Sequence, residues 1–245
     1  MKTIIFSKNR ACQLDALLRS LDHTAVVIYT HSEDFKNGYD KILNLHKNHK
    51  FIKETNLKQD ILANLKGEYV MFLCDDDIMI DRITHNGDFI EHFKVFKKCK
   101  DIVSFSIRLA PYLKGAPEFQ HGINVWEWKG CYRSWGYPMS VTSTIFRIGD
   151  ILPLIKEGIY DNPVELEVFL RNHIPIKKYM ICCNDMKVIN NLANHVIPMR
   201  YKTSRQDLYL LEHQFLSGKR IDLKDLIEKG KKADYCFMKE GYLYE

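Results

Sequence analysis

No stretch of this chain approaches the roughly 18 to 20 consecutive apolar residues that a membrane-crossing helix needs. The opening Met1-Lys2-Thr3-Ile4-Ile5-Phe6 reads as a β-strand and has no export-signal cleavage pattern. A cytoplasmic protein without a transmembrane segment is the expectation. Seven cysteines, an odd number with no Cys-x-x-Cys spacing, speak against a zinc ribbon and a disulfide framework. Reduced thiols are expected. Repeats and low-complexity segments are missing too, which excludes solenoids and disordered linkers. Neither sign of charge dominates: 36 Lys and Arg against 31 Asp and Glu leave a formal +5, with the lysines scattered. Nothing there calls for a nucleic-acid partner.

What is present, 245 residues that are 46% hydrophobic and 27% charged, suits one α/β domain with a sizeable core. Its focus is Tyr69-Val70-Met71-Phe72-Leu73-Cys74-Asp75-Asp76-Asp77. An apolar run of strand character passes within one residue into three consecutive acids. Carboxylates crowded at a strand end repel one another unless a cation or hydrogen-bond donors hold them ionised. Along an extended backbone Asp75 and Asp77 share one face and Asp76 the other, so the first and third would converge on one ion. Hard oxygen ligands select Mn²⁺ or Mg²⁺. A solvated acidic turn is the plainer alternative.

Strand and helix signals alternate on the way to that triplet. Residues 3–6 form a strand, Ser7-Lys8-Asn9-Arg10 a polar turn, and Leu14, Leu17, Leu18 and Leu21 a helical stripe. The turn sets Lys8 and Arg10 at a helix N-terminus, a setting that favours anions, although it lacks a glycine-rich phosphate fingerprint. Val26 to Tyr29 and Phe51 to Lys53 read as strands, and Leu57, Ile61 and Leu65 as a helix closed by Gly67. His46 and His49 read as solvated helix residues. Three strand–helix passes predict a mostly parallel, right-handed βαβ sheet flanked by helices, with the acids at its ligand-binding edge.

Beyond the triplet, Phe89, Phe93 and Phe96 mark a helix and Ile102 to Ile107 a strand. Residues 110–144 are loop-rich and hold all three tryptophans; Trp135 and Tyr137, beside Gly136 and Pro138, are expected to line a cleft. Asn162-Pro163-Val164-Glu165 is a helix start, with Asn as N-cap, Pro in the first position and Glu165 closing a capping box. Glu167, at the edge of the stripe Leu166, Phe169 and Leu170, has no such local task. Short strands are expected around Cys182-Cys183. Arg200, Lys202 and Arg205 form a basic patch, and two C-terminal helices carry Leu208, Leu211 and Phe215, then Leu223, Leu226 and Ile227. The tail beyond leaves peripheral contact with an anionic membrane surface open.

Four of these segments together carry a resemblance: Phe6 to Arg10 with Gln13 to Leu18, the strand ending in Asp75-Asp76-Asp77, Gly136-Tyr137-Pro138-Met139-Ser140, and Asn162 to Glu167. Over about residues 1–220 the chain resembles small GT-A-fold glycosyltransferases similar to family 2. Where such proteins often show Asp-Gly after the Tyr-Pro-x-Ser segment, this chain has Thr142-Ser143. The resemblance implies a single GT-A-like domain over 1–245, with a nucleotide-sugar half (1–109), an acceptor-side half (110–200) and a C-terminal helical extension (201–245). It implies a hexosyl- or deoxyhexosyltransferase that moves sugar from a nucleotide-diphosphate donor to a hydroxyl of a glycan or glycoconjugate, with inversion. Asp75 and Asp77 would hold Mn²⁺ or Mg²⁺; Ser7, Lys8, Arg10, Tyr29, Asp75 and Asp76 would meet the donor. Arg200 and Arg205 would add cationic contacts, Trp135 and Tyr137 would face the acceptor, and Glu167 would take its proton. A sugar-phosphate nucleotidyltransferase, or a non-catalytic nucleotide-sugar-binding module, is the alternative.

Overall fold

The computed structural model describes residues 1–119, 123–191, 207–234, 237, 238 and 244. It opens with three strand–helix passes: β1 (Lys2–Lys8), α1 (Ala11–Ser20), β2 (Val26–Thr30), α2 (Lys36–Leu45), β3 (Lys50–Lys53) and α3 (Leu57–Asn64). β4 (Tyr69–Cys74) follows, then β5 (Asp77–Met79), α4 (Gly87–Lys98), β6 (Ile102–Ser106), β7 (Val125–Glu127), β8 (Thr144–Arg147), α5 (Ile148–Glu157) and α6 (Pro163–Asn172). β9 (Tyr179–Cys182), β10 (Val188–Asn191), α7 (Leu208–Leu216), α8 (Leu223–Lys231) and β11 (Phe237–Met238) complete the described elements.

The main sheet has eight strands in the order β3-β2-β1-β4-β8-β6-β9-β7, and β5, β10 and β11 make a separate three-stranded sheet. Parallel pairing of β1 with β2 and β4, of β2 with β3, and of β6 with β9 makes the large sheet mostly parallel. β8 runs against both β4 and β6, and β7 against β9. This is the α/β class expected, and the strands read at 26–29, 51–53 and 69–74 fall where the periodicity put them. Central strands buried on both faces lose their alternation and become continuous apolar runs; Val70 to Leu73 and Ile4 to Ile5 are each 0% exposed. Helix starts follow side-chain chemistry: Asn56, Asn86 and Asn162 each accept N–H groups of the turn they cap.

The loop-rich stretch contains β7, which three residues of mixed burial give no period to announce. It ends by passing into β8, whose Thr144 lies opposite Phe72 of β4. Ser143, the second residue of the Thr142-Ser143 pair, has φ 53°. Its hydroxyl is buried with no hydrogen-bond partner among the described residues. An L-residue in the left-handed region costs about 1–2 kcal/mol, and an unmet buried hydroxyl adds to that. Glycine gives part of this back through the entropy of the unfolded chain. Ser143→Gly is expected to stabilise the fold by about 1 kcal/mol, raising the unfolding temperature by roughly 2–4 °C; a calorimetric scan showing a lower midpoint would refute it.

The C-terminal helix α7 docks on the first passes. Glu212 Oε1 accepts the Gly38 N–H at 2.8 Å, at the start of α2, and Lys41 Nζ donates to the Phe215 carbonyl. Gly38 leaves room for this, since a Cβ there would stand 2.3 Å from Glu212 Oε1.

Candidate functional site

β1, β2 and β4 end at one edge of the sheet. Asn9, in the left-handed region that asparagine tolerates, ties the β1 and β2 ends together: its N–H donates to the Thr30 carbonyl, and its Oδ1 accepts the Ser32 N–H. This turn swings Arg10 back over the edge. Ser7 Oγ is 2.6 Å from Tyr39 Oη, which also accepts the Arg10 N–H. Tyr29 stacks on Tyr39 with ring centroids 5.0 Å apart, and the half-buried His31 lies over Tyr39 at 5.3 Å. Ser7, Arg10, Tyr29 and the backbone of Lys8 are thus brought to the acids; the Lys8 side chain projects into solvent.

The triplet itself departs from the extended geometry. The chain turns after Cys74 instead of continuing straight, so Asp75 and Asp77 do not share a strand face against Asp76. Asp75 accepts Lys8 N–H at 3.0 Å and Arg10 Nη1 at 3.1 Å. Asp76 Oδ2 lies 3.3 Å from the same Nη1, and Asp76 Oδ1 is 3.0 Å from Asn190 Nδ2. Asp77 turns inward: its Oδ2 accepts the Cys74 N–H at 2.8 Å and its Oδ1 is 3.0 Å from Asn190 Nδ2. Asp76 is therefore the shared member, joined to Asp75 through arginine and to Asp77 through asparagine.

All three acids are buried. Burial pushes the Asp75 carboxyl up against the pull of Arg10, and burial together with Asp76 pushes Asp77 up. Among the described residues no three His, Cys, Asp or Glu side chains are grouped to hold a metal ion. The oxygen inventory nonetheless fits a hard cation, because Asn190 Oδ1, buried beside Asp76 and Asp77, has no hydrogen-bond partner among the described residues. Two carboxylates and an amide form a donor set suited to Mn²⁺ or Mg²⁺.

Glu167 reaches the same edge from α6. Tyr137 Oη donates to its Oε1 at 3.0 Å, while Ser140 Oγ and the Val141 N–H donate to Oε2 at 3.2 and 2.7 Å. It thus has a structural task that the helix pattern did not disclose: it holds the segment 137–141. A carboxylate offers about four lone-pair sites, so three donors leave one open on Oε1. Burial and then Glu167 raise the Tyr137 phenol's pKa, keeping it a donor. Thr142 Oγ1 lies 3.1 Å from Cys74 Sγ, so one short segment touches both Glu167 and the acid turn. The antiparallel β4–β8 pairing, which sets the start of β8 beside the end of β4, brings this about.

Glu165 has the capping task expected of it, although its Oε2 accepts the N–H of Asp161 and not of the N-cap Asn162. Trp135 is a correction: it is 4% exposed, edge-on to Trp126 at 5.1 Å, and its ring fills the interior instead of lining a cleft. His46 and His49 are not solvated either. His46 Nε2 is 2.8 Å from the buried Asp15, and His49 Nδ1 accepts the Ala25 N–H, burial holding that imidazole's pKa down to about 4. Arg200, Lys202 and Arg205 lie outside the described residues. Sequence reasoning missed Tyr39, Asn190 and Arg108, the last a buried cation whose charge acts on Asp77 and on Tyr137. A strand ending in Asn190-Asn191 was the one available signal.

Fold and site define a mostly parallel α/β protein with an acidic, arginine-bound ligand edge. No family model matches the chain. It is 26% identical over 202 residues, 64% of its length, to the bifunctional glycosyltransferase pgtA of Dictyostelium discoideum. The match spans about a quarter of that relative, 25% of its length. Solved structures with some likeness include two of S. aureus TarS 1-349, one of them in complex with UDP. They are 15% identical, with 74% of this chain and 60% of that one covered, at TM-scores of 0.41 and 0.45. A cytidylyltransferase from Leptospira borgpetersenii is 11% identical over 100% of this chain and 98% of its own, with a TM-score of 0.43.

Proposed function

We propose that this chain is a metal-dependent, inverting glycosyltransferase that moves a sugar from a nucleotide-diphosphate donor to a hydroxyl of a glycan or glycoconjugate. The observation that carries the reading is the meeting of Arg10, Asp75, Asp76 and Asp77 with Glu167 at one sheet edge, through the 137–142 segment. The similarity to a curated glycosyltransferase supports it.

In this reading the nucleoside packs against the half-buried His31 ring, which the buried Tyr29, Tyr39 and Ser7 support from behind, and Arg10 places positive charge beside the diphosphate. Asp76 and Asp77 hold Mn²⁺ or Mg²⁺, which when bound stabilises charge on the departing diphosphate. Glu167, fixed by Tyr137, Ser140 and Val141, uses the open lone pair of Oε1 to accept the proton of the acceptor hydroxyl as that oxygen attacks the anomeric carbon. Holding the base by three donors keeps it aimed without solvent reorganisation.

A panel of nucleotide-diphospho-sugars tests this by thermal unfolding with Mn²⁺ and with EDTA. A donor at a hundred times its dissociation constant adds about 2.7 kcal/mol to the native state, a midpoint rise of roughly 5–10 °C for a chain of this size. The rise should vanish with EDTA, and the responding donor should release nucleoside diphosphate in the presence of acceptor. No response across the panel, or an equal one with EDTA, refutes the reading. Pyrophosphate released from a nucleoside triphosphate would replace it with nucleotidyl transfer.

A further inference from the structure

Asn190 stands opposite Asp77 in the antiparallel β5–β10 ladder, so its amide is carried by a strand and not by a loop. The residue is 2% exposed. Its Nδ2 is 3.0 Å from Asp76 Oδ1 and 3.0 Å from Asp77 Oδ1, while its own Oδ1 is buried with no partner among the described residues. Leaving a buried acceptor unmet is costly, and burying it beside two acids makes the arrangement odder still. The remaining oxygens of those acids are already used, Asp76 Oδ2 by Arg10 and Asp77 Oδ2 by the Cys74 N–H. That leaves the two oxygens facing Asn190, each held among the described residues by its amide nitrogen alone.

We infer that Asn190 is the third protein ligand of the cation site, and that its amide turns over when the ion enters. Without the ion, the NH₂ group faces Asp76 and Asp77 and stands in for positive charge. A half-turn of the amide exchanges nitrogen for oxygen at nearly the same point, the two being alike in size. Oxygen there would repel both carboxylates unless a cation lay between them. The spacing suits one: in an octahedral shell with metal–oxygen bonds of about 2.1 Å, neighbouring ligand oxygens stand about 3.0 Å apart. That is the separation from the amide to each acid. It also accounts for the lack of a third acidic, histidine or cysteine ligand among the described residues.

The inference rests on the metal dependence proposed above, and titration of Mn²⁺ by electron paramagnetic resonance, without nucleotide, separates the two. Wild type should bind the ion, and Asn190→Leu, of nearly equal shape, should bind at least tenfold more weakly with an unchanged circular dichroism spectrum. Asn190→Asp, adding a further buried carboxylate, should unfold at a lower temperature in EDTA and be rescued by Mn²⁺ by more degrees than wild type. If Asn190→Leu fails to fold, Asn190→Asp decides alone: a Mn²⁺ affinity no higher than that of wild type overturns the assignment. Equal Mn²⁺ binding by wild type and Asn190→Leu overturns the role of Asn190 and leaves the metal reading standing. No Mn²⁺ binding by wild type removes both.

Discussion

Glu167→Gln is expected to lower turnover on the order of 10²- to 10⁴-fold, the usual loss when a positioned base is removed, with donor and Mn²⁺ binding kept. The hydrogen bonds explain why this variant isolates the chemistry. The Gln carbonyl oxygen can take the place of Oε2 and accept from Ser140 and the Val141 N–H, while its NH₂ group faces Tyr137 Oη, which can rotate to accept. The segment 137–141 therefore stays seated, and only the capacity to take a proton is lost. Glu165→Gln should keep near-normal turnover, because an amide oxygen can still accept the Asp161 N–H. Turnover of both variants, donor binding by calorimetry, and the anomeric configuration of the product by NMR decide the matter. A retained configuration, or an active Glu167→Gln, would show that Glu167 only anchors the loop.

The largest loss of stability is expected at Lys187. Its side chain is 1% exposed, with Nζ 3.0 Å from Asp81 Oδ2 and 2.8 Å from Asp88 Oδ2. Burial works against the ammonium, but the bonds to Asp88 and Asp81 outweigh it and hold its pKa above the ordinary lysine value. Burial likewise pushes Asp88 up, and is outweighed by Lys187 and by the N–H groups of Asn184 and Asp185, so both partners stay charged at neutral pH. Lys187→Met keeps the length and leaves the acids behind. Removing one member of a fully buried pair typically costs about 3–5 kcal/mol; with Asp88 16% and Asp81 37% exposed, solvent screens the stranded acids and the loss falls toward about 2–3 kcal/mol, a drop in unfolding temperature of roughly 5–10 °C. Adding Asp88→Asn should recover part of it by removing the stranded charge. Because Ile80 and Asp81 both donate N–H to the Lys187 carbonyl, this lysine also steadies the ladder that carries Asp77 and Asn190. Thermal unfolding of the single and double variants is the check; a midpoint within a degree of wild type would mean that the pair contributes nothing.

By itself the sequence determined the elements whose cause is local. Six residues from Tyr69 to Cys74 specify a strand because they are apolar without interruption, and the three acids mark its end. Asn162, Pro163 and Glu165 specify a helix start because capping involves only neighbours. Periodicity also placed the leucines of α1 in the core. What only the tertiary structure decided is which polar groups meet. Asn190 lies 114 and 113 residues from Asp76 and Asp77, and strand register alone sets it against them. Trp135 and Tyr137, two residues apart, differ in fate because the first turns toward Trp126 and the second toward Glu167. A two-residue turn, Asp75-Asp76, after Cys74 made Asp76 the shared acid, where an extended chain would have chosen its neighbours. Side-chain period is a property of one segment, whereas the pairing of charges depends on how distant segments align, and no single segment records that alignment.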